Sequence, residues 1–266
     1  MEAFVKGNGD IKNDTFVFTK LPPVFIDPVT KLEKGLVTAV VITDPSCTQC
    51  VDPKTMVESF KQTGVKVKDL KEFAWDSTDG QNIINQYKIT KIPTLIFSSD
   101  IDLYDSVKSV WSKIGTVEKD KTYVARSLPL PYRDLTTGQI AGLVDITYLT
   151  DSSCPDCYDA KGVQKPILTN NYKVALRSEQ TVDASSPEGQ TLIAKYAITK
   201  VPTILMSPGI DQYASLKKVW TSVGTVETDG WYVFTALDQL GSITYKDLTK
   251  NQIIRPAGQP SPSPTK

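Results

Sequence analysis

Two runs of apolar and β-branched residues divide the chain into similar halves. "LVTAVVIT" occupies positions 36–43, and "LVDITYLT" occupies positions 143–150. Apolar runs of this length are typical of a central strand that is covered on both faces. The pattern therefore predicts one buried strand at the centre of a sheet in each half.

Helical periodicity follows each of these strands. The first stripe ends before Gly64, a typical helix stop, and the second contains Pro166, which predicts a kink. The residues at helical spacing are Met56, Val57 and Phe60 in the first half, and Val163, Ile167 and Leu168 in the second.

A further helix is predicted after a short strand in each half. Thr78 with Gln81 forms a possible capping box, and Ser186 is a possible N-cap with Pro187 at the first helical position. "IPTLIF" and "VPTILM" then return to strand. The apolar positions of these helices are Ile83, Ile84 and Tyr87, matched by Leu192, Ile193 and Tyr196.

The two halves are copies of each other. "GQNIINQYKITKIPT" (80–94) matches "GQTLIAKYAITKVPT" (189–203), and Cys47 aligns with Cys154 at an offset of 154 − 47 = 107. A period of this length indicates a duplicated domain, not a solenoid of short repeats. The segment "YRDLTTGQI" (132–140) recurs as "YKDLTKNQI" (245–253), and Phe25 stands at the same place in a partial third copy. This segment either closes one unit and opens the next, or belongs to a longer array.

Composition and charge exclude several kinds of function. Thirty basic residues balance thirty acidic ones, so neither nucleic acid nor an anionic membrane is a predicted partner. No run is long enough to cross a bilayer. The chain has no histidine, which removes Ser-His-Asp and Cys-His nucleophile systems and haem attachment through C-x-x-C-H. Proteins or small molecules remain as partners.

All four cysteines stand in two C-x-x-C pairs, each directly after a predicted central strand. Such pairs serve as redox dithiols, structural disulfides or zinc ligands. If each pair opens a helix, amide N–H groups and the helix dipole favour thiolate at the first cysteine. Cys47 and Cys154 are then the predicted nucleophiles, and Cys50 and Cys157 the resolving thiols. Asp156 adds negative charge between the second pair and predicts a more reducing centre there.

The order strand, C-x-x-C, helix, and later Ile-Pro-Thr or Val-Pro-Thr before another strand resembles the thioredoxin fold, twice over. The resemblance covers about 36–115 and 143–224. It implies a cis-proline facing each dithiol, at Pro93 and Pro202. It also implies that the backbone of Ile92 and of Val201 is free to pair with an extended substrate.

Several positions depart from the thioredoxin pattern. Ser46 and Ser153 replace the tryptophan that usually precedes the first cysteine. Val41 and Tyr148 replace the buried acid six positions before it, which removes the usual internal base for the resolving thiol. The paired and unequal centres are closer to the tandem protein disulfide oxidoreductases of prokaryotes.

The sequence thus predicts an α/β protein of two tandem thioredoxin-like domains, each with a central mixed sheet flanked by helices. The expected divisions are a leading strand segment at 1–24, domains at 25–125 and 126–254, and a Pro/Ser-rich tail at 255–266. The expected function is thiol-disulfide exchange on protein or peptide disulfides, without a cofactor and with a separate redox partner. The alternative is a non-catalytic interaction module with structural disulfides. Paired cysteines without a spare thiol favour an extracytoplasmic location, with the cytoplasm as the alternative.

Overall fold

The structure is a computed structural model that describes residues 9–18 and 21–256. The chain forms two compact units, Met1–Ile140 and Ala141–Lys266. The predicted division between 125 and 126 therefore differs from the observed one. The reason is that the strand at 132–134 pairs with a strand of unit 1, which keeps it with the preceding unit.

Unit 1 contains most of its regular structure between 36 and 125, with short hairpins before and after. A 3₁₀ segment at Ser99–Leu103 precedes its third helix. In chain order, the elements are β1 Gly9–Lys12, β2 Thr15–Phe18, β3 Phe25–Ile26, β4 Glu33–Lys34, β5 Leu36–Thr43, α1 Pro53–Gln62, β6 Lys66–Ala74, α2 Thr78–Tyr87, β7 Lys91–Ile92, β8 Thr94–Phe97, α3 Asp105–Ile114, β9 Gly115–Val117, β10 Tyr123–Ala125, β11 Tyr132–Asp134 and, at the boundary, β12 Ile140–Ala141.

Unit 2 repeats this order. Its second helix-forming segment is followed by the same short strand, proline and longer strand. In chain order, the elements are β13 Leu143–Thr150, α4 Ala160–Pro166, β14 Ala175–Asp183, α5 Pro187–Lys195, β15 Lys200–Val201, β16 Thr203–Met206, α6 Ala214–Val223, β17 Gly224–Val226, β18 Tyr232–Phe234, β19 Tyr245–Asp247 and β20 Gln252–Ile254.

A five-stranded mixed sheet forms the centre of each unit. In unit 1 the order is β6-β5-β8-β10-β9, and in unit 2 it is β14-β13-β16-β18-β17. The central strand runs parallel to the strand after its helix and antiparallel to the strand after the proline. The predicted fold, two tandem thioredoxin-like domains with central mixed sheets, is confirmed.

The two faces of β5 explain why its sequence is apolar throughout. Val37, Ala39 and Val41 point to one face, where they pack in a core with Val57 of α1 and Trp111 of α3. The intervening positions of β5 point to the other face, against α2: Val40 and Ile42 pack there with Ile83, Ile84 and Tyr87. Alternation by two along the strand thus supplies both cores of a sheet with helices on its two faces.

Two details of the helices differ from the sequence pattern. The N-cap of α2 is Ser77, whose Oγ accepts from the Gly80 N–H at 3.1 Å, so Thr78 becomes the first helical residue. Pro166 ends α4, and the chain continues as a π-helical segment, Ile167–Asn171, in place of a kinked helix. A ring without an N–H cannot continue the α-helical ladder, which accounts for the change.

A hairpin follows the central sheet in both units, and its partial copy precedes the central strand of unit 1. The closing hairpin, defined as 132–141 in unit 1 and 245–254 in unit 2, pairs β11 with β7 and β19 with β15. The front hairpin is β3 with β4. The three share one turn: Asp27, Asp134 and Asp247 each accept the N–H of the residue two positions on, at 2.8, 2.8 and 2.9 Å.

The predicted tail is part of the fold at its first residue, because Arg255 forms an ion pair with Asp156. The rest of the proposed linker, 257–266, lies outside the described residues. Across 9–18 and 21–256, no helix has the length and apolarity that a membrane span requires.

Candidate active site

Each C-x-x-C pair forms a disulfide in the turn that follows the central strand, with the two Cα atoms 5.3 Å apart. In unit 1 the Cys47 N–H donates to the Asp44 carbonyl at 3.1 Å, and the Cys50 N–H donates to the Cys47 carbonyl at 3.2 Å. Unit 2 repeats both bonds at 3.0 and 3.1 Å. A cleft of about 170 Å³ in unit 1 is lined by both sulfur-bearing residues and by Pro93.

The sequence suggested that each C-x-x-C pair lies at the N-terminus of a helix. In the structure the cysteines do not lie there. Helix α1 begins at Pro53 with Asp52 as its N-cap, and α4 begins at Ala160 with Asp159 as its N-cap. Because the effect of the helix dipole falls off within the first turn, it acts weakly on Cys47, six positions before α1. The Asp-capped turn separates strand from helix and accounts for the displacement.

The burial of the cysteine residues also differs from what the assigned roles require. Cys47 and Cys154 are buried, with exposed fractions of 7% and 4%, whereas Cys50 and Cys157 are partly exposed. In the disulfide form, the second cysteine of each pair is therefore the more exposed residue.

The prolines of the Ile-Pro-Thr and Val-Pro-Thr segments follow cis peptide bonds, at Ile92–Pro93 and Val201–Pro202. Ile92 and Val201 are fully buried. The structure thus brings Pro93 beside the dithiol of its own unit.

The backbone of Ile92 and Val201 is not free, in contrast to the expectation from the thioredoxin resemblance. Ile92 stands opposite Arg133 in the β7–β11 pair, and Val201 stands opposite Lys246 in the β15–β19 pair. The closing hairpin of each unit holds the position that was expected to receive substrate. Sequence similarity among the three hairpins identified β11 and β19 as strands. It did not show that they pair with β7 and β15.

The basic residue of each closing hairpin reaches the turn before the first cysteine. In unit 1 Arg133 Nε lies 2.7 Å from Asp44 Oδ2, and its Nη2 donates to Ser46 Oγ at 2.7 Å. The Asp44 side chain is wholly buried, and that of Arg133 is 16% exposed. Burial opposes ionisation of Asp44, but hydrogen bonds from Ser46 and Arg133 outweigh it and lower the pKa of this carboxyl.

Unit 2 has the same arrangement with lysine. Lys246 Nζ lies 2.8 Å from both Asp151 Oδ2 and Ser153 Oγ. Burial again opposes ionisation of Asp151, and the hydrogen bonds from Lys246 and Ser153 lower its pKa. The serines that replace the usual tryptophan therefore serve as acceptors for a cation on the closing hairpin.

Carboxylates from the neighbouring strand stand near the position where the thioredoxin pattern places a buried acid. The hydroxyl of Tyr148 donates to Glu179 Oε2 at 3.0 Å, and burial together with this bond raises the pKa of Tyr148. In unit 1 Glu72 pairs with Lys54 at 3.0 Å, and both line the cleft with Cys50. The two acids are not equivalent positions, because β14 aligns with β6 at an offset of 175 − 66 = 109, and no repeated motif in the sequence marked them.

The second centre contains an ion pair that the first lacks. Asp156 Oδ1 lies 3.7 Å from Cys154 Sγ, and its Oδ2 lies 2.8 Å from Arg255 Nε. In the first copy of the repeat, Gln49 and Gly142 stand at the corresponding positions. Arg255 therefore offsets the charge that alone predicted a more reducing second centre. No motif in the sequence connected Arg255 with Asp156.

The site contains no cysteine outside the two disulfides. Within the part of the chain that the structure describes, no cluster of three or more histidine, cysteine, aspartate or glutamate side chains is placed to hold a metal ion.

Two thioredoxin-like units, each with a C-x-x-C disulfide at the end of its central strand, define a tandem dithiol protein of thioredoxin fold. No protein-family profile and no curated protein sequence matches the chain. Among solved structures, a protein disulfide oxidoreductase from Aeropyrum pernix is 17% identical, with a TM-score of 0.19, over 65% of this chain and 77% of that one.

Two other solved structures show a similar degree of likeness. Full-length ERdj5 is 10% identical with a TM-score of 0.20, over 70% of this chain and 27% of that one. The N-terminal domain of the alkylhydroperoxide reductase AhpF from Enterococcus faecalis is 13% identical with a TM-score of 0.17, over 64% of this chain and 81% of that one. TM-scores this low carry no weight for fold or function, which rest on the chain's own geometry.

Proposed function

We propose that this protein is a thiol-disulfide oxidoreductase with two dithiol centres that act on protein or peptide disulfides. The observation that carries the proposal is that each C-x-x-C disulfide lies in the turn after its central strand and includes one partly exposed cysteine, and that an open cleft lies beside the disulfide of unit 1. A disulfide that serves only to hold a core together needs neither an exposed cysteine nor a cleft.

The chemistry requires only the two thiols of one centre and a disulfide substrate. A protein thiolate attacks one substrate sulfur, forms a mixed disulfide and releases the other substrate sulfur as a thiolate. The second protein thiolate then attacks the protein sulfur of the mixed disulfide, which closes the C-x-x-C disulfide and releases the second substrate thiol. Two electrons pass from dithiol to substrate, and a partner dithiol of unknown identity restores the reduced form.

The partial exposure of Cys50 and Cys157, against the burial of Cys47 and Cys154, supports Cys50 and Cys157 as the residues that first contact a substrate disulfide. This assignment reverses the one based on helix mouths, because that one assumed that α1 and α4 begin at the first cysteine of each pair. Glu72, which lines the cleft of unit 1 with Cys50, is a candidate proton acceptor there.

The redox proposal is tested by titrating the full chain in a series of glutathione buffers without denaturant. Free thiols are alkylated at each point, and the state of each pair is read by peptide mass. Both pairs are expected to pass reversibly between disulfide and dithiol while the protein remains folded. A pair that resists reduction until denaturant is added would refute the proposal for its unit.

The second candidate is a non-catalytic interaction module with structural disulfides. The burial of Cys47 and Cys154 and the occupied backbone of Ile92 and Val201 favour it. Reduction of a model disulfide substrate, with and without dithiothreitol as electron source, separates the two. Turnover that depends on dithiothreitol and is lost when all four cysteines are changed to serine supports the oxidoreductase.

We further propose an extracytoplasmic location, since every cysteine of the chain stands in a disulfide and persistent disulfides belong to oxidising compartments. Fractionation of the source cells, with alkylation before lysis, tests this. Recovery in the cytoplasm with reduced thiols would contradict it.

A further inference from the structure

The short strand β7 leads directly into the dithiol cleft through Pro93, and β11 pairs with it. The Leu135 N–H donates to the Thr90 carbonyl at 2.8 Å, and Ile92 stands opposite Arg133. Hydrogen-bonded pairs alternate in an antiparallel ladder, so Ile92 and Arg133 form the next such pair after Thr90 and Leu135. Both backbone groups of Ile92 are therefore engaged by the protein's own chain.

The side chain of Arg133 fastens this strand to the turn before Cys47. Its guanidinium contacts Asp44 and Ser46, and its Nη1 donates to the Gly138 carbonyl at 2.8 Å. The same group lies 5.3 Å from the ring centre of Trp75. A wholly buried carboxylate paired with arginine holds the hairpin at the site more firmly than two backbone bonds alone.

Unit 2 repeats the arrangement independently. The Leu248 N–H donates to the Thr199 carbonyl at 2.8 Å, which places Val201 and Lys246 at the next hydrogen-bonded pair. Lys246 reaches the acid and serine that precede Cys154. An arginine in unit 1 and a lysine in unit 2 contact the same acid and serine positions. Both units therefore share a cation at this position of the closing hairpin.

The front hairpin serves as an internal comparison. It has the same turn, but Ile26 stands where the closing hairpins have Arg133 and Lys246, and its side chain is 66% exposed. Among the described residues, β3 and β4 form a sheet of two strands with no third partner. The basic residue is thus found in the two copies that pair with a strand before a cis-proline and not in the third.

We propose that each closing hairpin is a built-in competitor for the edge along which an extended polypeptide would bind beside the dithiol. The proposal rests on the proposed thiol-disulfide exchange and specifies its substrates. While the closing hairpin is paired with β7 or β15, the centre exchanges with small disulfides, which need to reach only the partly exposed second cysteine of the pair. Extended polypeptide is admitted when the hairpin leaves, because capture of a strand by a sheet edge requires unpaired backbone groups.

The test isolates one thiol in the full chain, by changing Cys47, Cys154 and Cys157 to serine so that Cys50 remains. Two activated disulfides are compared: small 2,2′-dithiodipyridine, and an uncharged extended peptide whose cysteine carries a thiopyridyl group. In both cases the Cys50 thiolate attacks, a mixed disulfide forms, and the thiopyridone released is followed by absorbance.

The variant Arg133→Gln removes the positive charge that pairs with Asp44. Arg133→Lys is the matched control, because a lysine makes the corresponding ion pair in unit 2. Arg133→Gln is expected to raise the ratio of the peptide rate to the small-reagent rate about tenfold, the equivalent of about one net backbone hydrogen bond. Arg133→Lys is expected to leave this ratio unchanged. A peptide with proline at alternate positions cannot pair with a strand edge and should gain nothing from Arg133→Gln.

Equal acceleration of both reagents, or of the proline peptide, would overturn the proposal, and so would an unchanged ratio in a folded Arg133→Gln protein. If that variant does not fold, hydrogen exchange in the parent decides. The Arg133 amide should be protected before coupling and lose protection once the extended peptide is attached. Persistent protection would overturn the proposal. Failure of both native pairs to cycle in redox buffers would instead refute the proposed function, since chemical coupling to Cys50 does not depend on turnover.

Discussion

The ion pair inside the second centre permits a prediction of its size from the structure. The change is Asp156→Asn in a background with Cys47→Ser and Cys50→Ser, so that only the second pair reports. Removing a negative charge beside Cys154 stabilises its thiolate, which stabilises the reduced form and raises the reduction potential.

The magnitude follows from the 3.7 Å between Asp156 Oδ1 and Cys154 Sγ. Coulomb's law gives about 1 kcal/mol at the dielectric constant of water and about 4 kcal/mol at an effective value of about 20. The carboxylate is 31% exposed, so the effect lies between these values. With about 30 mV for each 1.4 kcal/mol in a two-electron couple, the potential should rise by about 20–90 mV.

The assay is equilibration with glutathione buffers, followed by alkylation and quantitative mass spectrometry of the Cys154–Cys157 peptide. Arg255→Gln should lower the potential, by less than Asp156→Asn raises it, because the guanidinium lies beyond the carboxylate. The double variant should fall between the two. In unit 1, Gln49→Asp is the matched control: it adds the charge without a partner, since Gly142 occupies the position of Arg255, and should lower the potential of that centre.

An Asp156→Asn protein whose potential is unchanged or lower would refute this reasoning. The full shift requires thiolate, so it is measured at about pH 9, above the ordinary thiol pKa of about 8.5, and it should shrink at neutral and acidic pH, where the thiol is mostly protonated. A shift of equal size at about pH 9 and about pH 6 would show that Asp156 acts through the structure of the turn and not through its charge.

Two other predictions concern the ion pair between Arg133 and Asp44 and the reactivity of Cys47 and Cys50. Arg133→Gln should lower the stability of unit 1 by about 1.5 kcal/mol at neutral pH, because it removes the charged hydrogen-bond donor of the buried Asp44 carboxylate. Since the folded protein lowers the pKa of Asp44, the difference between the proteins should be present above about pH 4 and close as the pH falls through the folded-state pKa. Hydrogen exchange in urea, read peptide by peptide, measures it, with unit 2 as the internal reference and a pH-independent difference as the contrary result. The other prediction compares two proteins in which both cysteines of unit 2 are changed to serine. Cys47→Ser protein, whose remaining thiol in unit 1 is the partly exposed Cys50, should couple to a small activated disulfide faster than Cys50→Ser protein. The opposite order would restore the original assignment of the nucleophile.

The sequence determined those features of the protein that arise from local periodicity. Alternation along β5 and β13 and the helical stripes after them were sufficient for the order of elements, because each pattern reports which face of one element is buried. Duplication at a constant offset placed the C-x-x-C pairs and the Pro93 and Pro202 segments in register. These features define two thioredoxin-like units with a dithiol at the end of each central strand.

The tertiary structure alone decided what surrounds each dithiol. Arg133 and Asp44 are 89 residues apart in sequence, and Arg255 and Asp156 are 99 apart. No periodicity reveals which of thirty basic residues reaches a given carboxylate, since such pairs depend on how a hairpin folds back over a finished sheet. The burial of Cys47 has the same origin. The sequence shows a cysteine after a strand. How exposed that cysteine is depends on where the helix begins and on which part of the chain packs around the cysteine.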